Sequence, residues 1–155
     1  MSRIDYYDDP QAPPANSLVP AASAIVVDDL GRLLLHRRRD NDKWALPGGA
    51  MELGESLREC VVREVREETG FDVDVVGIVG TYSDPRHVFA YDDGEVRQEF
   101  SICFLCTIRG GTLEASEESH EVRFFEVTEL DDLPMIPSIR LRIDDYRSGM
   151  GPAVR

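Results

Sequence analysis

From residue 56 to residue 70 the apolar positions fall at helical spacing, with Leu57, Val61, Val62 and Val65 on one stripe. Both ends of this segment are marked. Ser56 followed by Glu59 has the form of a capping box, and Gly70 stands where a glycine lets the chain leave a helix in a left-handed conformation. Elsewhere the pattern changes to short apolar runs and alternations typical of strands. It predicts strands over 20–27 and 32–38, joined by the turn Asp28-Asp29-Leu30-Gly31, and a polar loop over 40–43. Further strands are expected over 73–82, 95–108 and 122–127, with Asp93-Gly94 as a hairpin turn and Gly110-Gly111 as a reversal. Residues 83–91 read as an irregular loop punctuated by Pro85, and 114–121 as an acidic loop. A helical turn over 128–133 and an amphipathic helix over 138–146 complete the pattern. Several strands with one central and one terminal helix predict an α/β chain of the α+β type, a mixed sheet sandwiched by helices.

The flank of the central helix changes this picture. Glu64, Glu67 and Glu68 stand at i, i+3 and i+4, so three carboxylates share one turn beside the apolar stripe. Like charges so placed weaken a helix, and the repulsion grows where the turn is partly buried. A divalent cation relieves it, and Mg²⁺ in particular favours carboxylates together with phosphate oxygens. A solvated acidic face is the plain alternative for such a cluster taken alone.

The cluster is not alone. Gly49 is followed after five residues by Glu55, after seven more by Arg63-Glu64-Val65, and then by Glu67-Glu68 and Gly70-Phe71. This spacing matches the Nudix box at every defined position, and the chain resembles the Nudix hydrolases. The resemblance implies the Nudix α/β/α sandwich over about 18–148; residues 1–17, acidic, proline-containing and without periodicity, are expected to form a disordered or docking N-terminal tail, and 149–155 a C-terminal tail. It implies hydrolysis of the diphosphate linkage in a nucleoside diphosphate joined to a group X. ADP-ribose or another nucleotide sugar is one candidate; clean-up of nucleoside triphosphates, including oxidised ones, is the alternative. A non-catalytic, nucleotide-sensing Nudix domain is a reading of another class, which an eroded box would favour.

By residue-for-residue match, Glu64, Glu67 and Glu68 would ligate Mg²⁺ or Mn²⁺, with the Gly48 carbonyl joining the metal shell. Glu64, Glu68 or an acid outside the box would orient or deprotonate the attacking water. Glu55 and Arg63 match positions that support the ligands, Arg63 fixing the loop against the helix. Glu118 and Glu121 lie where relatives carry a further acid, and Glu121 is the candidate. Arg37 to Arg39 and Lys43 are local cations for phosphate; Arg37 and Arg39 are taken as substrate-binding, though alternating strand directions send some of them to solvent. Arg86 and Tyr91, with His87 and Phe89, are candidates to line the pocket for a base or for X.

The net charge of −13 argues against general binding to nucleic acid or to an anionic membrane, and against messenger-RNA decapping. The expected partner is a small nucleotide-derived substrate, for a monomer or homodimer. No apolar run approaches membrane length, and the acidic, proline-containing N-terminus is unlike a signal peptide, so a cytoplasmic setting is expected. Of three cysteines, Cys103 and Cys106 form a CxxC within a strand, where residues three apart point to opposite faces; core thiols are expected rather than a zinc site.

Overall fold

The computed structural model describes residues 2–155. In chain order the elements are β1 (Arg3–Tyr7), β2 (Ser17–Leu18), β3 (Ala21–Val27), β4 (Leu33–Arg38), β5 (Trp44–Ala45), β6 (Gly48–Ala50), α1 (Leu57–Thr69) and β7 (Phe71–Tyr82). They continue with β8 (His87–Tyr91), β9 (Val96–Gln98), β10 (Ser101–Gly111), β11 (Ser119–Phe125), a 3-10 turn (Val127–Asp132), α2 (Pro137–Ser148) and β12 (Ala153–Val154). The larger sheet runs β11-β4-β3-β10-β7-β12, with β5 attached to β4 and β6 to β3. It is mixed: β10 lies parallel to β3 and antiparallel to β7. A smaller sheet runs β1-β8-β9-β2.

Strand alternation divides the core into two layers. Ala22, Ala24 and Val26 of β3 and Leu34 of β4 face the Val61 and Val65 side of α1. Their neighbours Ile25, Leu33 and Leu35 face the opposite way, onto Trp44, Phe125, Leu130 and Ile143 of α2. The two CxxC thiols follow the same rule, Cys106 in the first layer and Cys103 in the second, and all three cysteines are buried and free. Trp44 packs edge-on to Phe125, with ring centroids 4.7 Å apart.

Helix α1 has the boundaries its sequence marks. The Ser56 hydroxyl accepts the Glu59 N–H at 3.1 Å, and the Glu59 carboxylate accepts the Ser56 N–H at 2.7 Å. Gly70 ends the helix with φ 82° and donates its N–H to the Arg66 carbonyl. Buried Val61 and Val65 anchor the helix on the sheet, each contributing about 1.5–3 kcal/mol by removal from water.

Several segments differ from their sequence reading. The opening residues form β1, paired along its length with β8, and the closing residues pair with β7 as β12. Residues 87–91, expected as loop, are a strand because β1 on one side and β9 on the other satisfy their backbone. The long strand expected over 95–108 breaks between β9 and β10, which belong to different sheets. The Glu99 side chain at the break is buried against His87 and Arg142. β11 begins at Ser119 rather than at Val122. No helix among the described residues is long and apolar enough to cross a membrane.

Candidate active site

A cleft of about 710 Å³ opens where α1, β6 and the edge of the smaller sheet meet. One wall carries Glu64, Glu67 and Glu68 of α1, with Gly48 and Gly49 of β6 beside them. The glycines allow this closeness. A Cβ at Gly48 would stand 2.8 Å from the Ser23 Cα, and one at Gly49 would stand 2.8 Å from the Glu64 Oε2.

The three glutamates have different surroundings. Glu68 is buried, with 9% of its side chain exposed, and its Oε2 accepts the Gly48 N–H at 2.9 Å. Burial pushes its carboxyl well above the ordinary value, and Glu64 adds repulsion, against the lowering effect of that hydrogen bond. Burial also raises Glu64, partly offset by Arg63. Glu67 is 59% exposed at its side chain. The His36 Nε2 lies 3.7 Å from the Glu68 Oε2, but burial first and Arg38 second lower its pKa to about 4, so at neutral pH this is contact with an uncharged ring rather than an ion pair. The other ring nitrogen lies 2.7 Å from the Ser119 hydroxyl.

Arg63 is the hub of the wall. It forks onto Glu55, Nε to Oε2 at 3.0 Å and Nη2 to Oε1 at 2.7 Å, and Nη2 also donates to the Ala50 carbonyl at 3.1 Å. These bonds tie the loop before α1 to the helix. Its Nη1 reaches Glu64 at 2.9 Å and Glu67 at 3.2 Å. The fork holds the Glu55 carboxyl down to about 2, with the Glu52 N–H assisting.

The donor chemistry of the acidic wall fits a hard divalent ion: one buried and one partly buried carboxylate that gain from a compensating charge, and a third exposed one free to swing. The arrangement is not preassembled, since among the described residues no three acidic, histidine or cysteine side chains already converge on one point. Arg63 occupies Glu64 and Glu67, and releasing the exposed Glu67 contact costs about 0–1 kcal/mol.

The remaining expected residues divide. Tyr91 lines the cleft, with Arg97 4.8 Å over its ring. Arg38 lines it too, whereas Arg37 turns away to Asp42 at 2.6 Å and Arg39 is exposed outside the lining. Arg86 pairs with Asp84 and borders a separate cavity of about 460 Å³. Glu118 lines the cleft; Glu121 does not, standing opposite Arg37 across the β11–β4 pair and 3.7 Å from Arg123. Alternation explains the arginines: Leu34, His36 and Arg38 share the face of β4 turned to α1, and Arg37 the other. Counting by twos from Leu34 would have found Arg38. The glutamates carry no such mark, because β11 has a register shift between Ser119 and Glu121. Arg3, Arg97 and Glu99 also line the cleft without having been singled out by sequence reasoning.

The NUDIX domain family model matches residues 17–145. The chain is 35% identical to a MutT-like protein of Streptomyces ambofaciens over 97% of its own length and 91% of that protein. It is 36% identical to the ADP-ribose pyrophosphatase of Methanocaldococcus jannaschii over 73% of its length; there it spans 64% of the relative, under two thirds. Its fold matches a NUDIX hydrolase from Nitrosomonas europaea with a TM-score of 0.70 at 20% identity, covering 88% of this chain and 93% of that one. With its sandwich fold and its acidic helix facing a cleft, the chain belongs to the Nudix hydrolases, enzymes that act on diphosphate bonds.

Proposed function

We propose that this chain is a Mg²⁺-dependent pyrophosphohydrolase that cleaves the diphosphate linkage of a nucleoside diphosphate joined to X, with ADP-ribose or another nucleotide sugar as substrate. The observation that carries the reading is the gathering of Glu64, Glu67 and Glu68 on one wall of one cleft, with Glu68 buried and Glu64 partly buried. The name borne by the Methanocaldococcus relative supports the substrate class.

Glu64, Glu67 and Glu68 would hold Mg²⁺, or Mn²⁺ in its place. When bound, such an ion neutralises phosphate oxygens and makes a water more acidic. The chain's own groups do the rest. Arg63 and Glu55 fix the loop against α1, so Gly48 and Gly49 keep their place against the helix. Gly48 aims the Glu68 carboxylate. The proton of the attacking water goes to a carboxylate at the wall; Glu64, Glu68 and Glu118 are the candidates in the cleft. Water adds to one phosphorus, the bridging P–O bond breaks, and the products are a nucleoside monophosphate and phosphorylated X.

A second reading is hydrolysis of nucleoside triphosphates. Arg3 and Lys43 on the cleft lining favour it, since a third phosphate needs more positive charge than a sugar does. The complete box argues against a purely sensing domain. A cytoplasmic setting and a monomeric or homodimeric state complete the proposal. A metal-dependent screen of nucleoside diphosphate derivatives and triphosphates, with product identification, tests it. Release of a nucleoside monophosphate only with Mg²⁺ or Mn²⁺ supports the reading. No turnover of any member with either metal overturns it.

A further inference from the structure

Most guanidinium groups lining the cleft are already engaged. Arg38 bonds Asp40 at 2.9 and 2.6 Å, Arg97 bonds Glu95 at 2.9 and 3.0 Å, and Arg142 bonds Glu99 at 3.1 Å and the Ser138 carbonyl at 2.8 Å. Arg3 is different. Its Nε makes an ion pair with Asp5 Oδ1 at 3.5 Å, and neither of these two buried atoms has a hydrogen-bond partner among the described residues. At that separation the pair is an ion pair without a hydrogen bond, so Arg3 is held less firmly than the arginines forked onto carboxylates.

The position of Arg3 is set by the fold. β1 pairs with β8 so that Arg3 stands opposite Tyr91 and Asp5 opposite Phe89. The Arg3 guanidinium lies on the diagonal neighbour, 4.5 Å from the centroid of the Phe89 ring. Arg3 and Phe89 both line the cleft whose other wall carries the acidic turn of α1. That wall, with Glu117 and Glu118, repels a phosphate-bearing ligand. A guanidinium stacked near an aromatic ring, in a cleft whose other arginines are hydrogen-bonded to carboxylates, suits phosphate oxygens.

We propose that Arg3 is a substrate-binding residue that takes a phosphate oxygen of the nucleotide, so that the N-terminal strand forms part of the site. The proposal rests on the nucleotide-hydrolase reading for its substrate. It assigns binding rather than chemistry to Arg3: the side chain fixes the ligand, and its loss shows in KM and not in kcat.

The test compares wild type with Arg3→Gln and Arg3→Lys. ADP is titrated in buffer containing EDTA, and KM and kcat are measured with Mg²⁺ on whichever of ADP-ribose and dGTP the wild type turns over better. Arg3→Gln is expected to weaken ADP binding and raise KM by about tenfold, the loss of one charge-assisted hydrogen bond, while kcat stays within about twofold. Arg3→Lys is expected to recover part of the loss, because the charge remains and the fork does not. Unchanged ADP affinity and KM in Arg3→Gln overturn the proposal. So do equal losses in both variants accompanied by a drop in melting temperature, which would make Arg3 a brace for β1. If the wild type hydrolyses no nucleotide, the hydrolase reading fails, and the ADP titration still decides whether Arg3 binds phosphate.

Discussion

Arg63 and Glu55 face each other through two parallel hydrogen bonds, 3.0 and 2.7 Å long, across the loop that leads into α1. The same guanidinium continues to Glu64 and Glu67, so one side chain both anchors the loop and occupies two of the three carboxylates proposed to bind metal. The Glu55 fork therefore belongs to the scaffold, and the Glu67 contact is the exchangeable one.

The fork makes stability depend on acid. Arg63 lowers the Glu55 carboxyl to about 2, below its unfolded value of about 4.3. A depressed carboxylate contributes stability that is present above the unfolded value and lost as pH falls through the folded one. Thermal melts of wild type and Glu55→Gln are expected to differ most above about pH 5 and to converge as pH falls towards 2. A difference that stays constant over that range would mean that Glu55 acts by packing alone.

Replacing Glu67 or Glu68 by Gln removes a charged oxygen donor while keeping the shape. Turnover of the best substrate is expected to fall by at least about tenfold in either variant, with the circular dichroism spectrum unchanged. Near-wild-type rates with Mg²⁺ would refute the assignment of these residues as ligands.

Glu68 also predicts a trade between stability and function. Its carboxyl is buried beside Glu64, and its raised pKa means that holding it ionised opposes folding. In metal-free buffer at pH 7.5, Glu68→Gln is expected to melt at least about 2 °C above wild type. Adding millimolar Mg²⁺ should raise the wild-type melting temperature, because the ion binds the folded state preferentially, and should raise the variant less. A wild type insensitive to Mg²⁺ would count against the site.

The two glycines before α1 predict a contrast. The atoms nearest a Cβ at Gly49 are those of the Glu64 carboxylate, which can turn aside; a Cβ at Gly48 meets the backbone of β3 at Ser23. Gly49→Ala is expected to fold with a melting temperature within about 3 °C of wild type and to lose about tenfold in turnover. Gly48→Ala is expected to be destabilised by more than 1 kcal/mol, about 2–4 °C or more in melting temperature. Equal effects of the two on stability would contradict the geometry.

What the sequence made legible was local. Ser56, Glu59 and Gly70 bracket α1 through hydrogen bonds within a few residues, so their spacing sufficed. Strand alternation separated Cys103 from Cys106. What it hid was non-local. Residues 3–7 show no periodicity that marks a strand, and their partner is β8, eighty or more residues away. The break at Glu99 depends on His87 and Arg142, contributed by two other elements. Glu118 reaches the cleft from the turn before β11, whereas Glu121 lies within the strand beyond a register shift, a placement that no count along the chain reveals.

The central claim is that the acidic turn of α1 holds a divalent ion. Mn²⁺ binding followed by electron paramagnetic resonance, on wild type and on Glu67→Gln in the absence of nucleotide, tests it most directly. The account predicts saturable binding to wild type and an affinity at least about tenfold weaker in the variant. Equal affinity in the two proteins, or no binding to wild type at millimolar Mn²⁺, would contradict it.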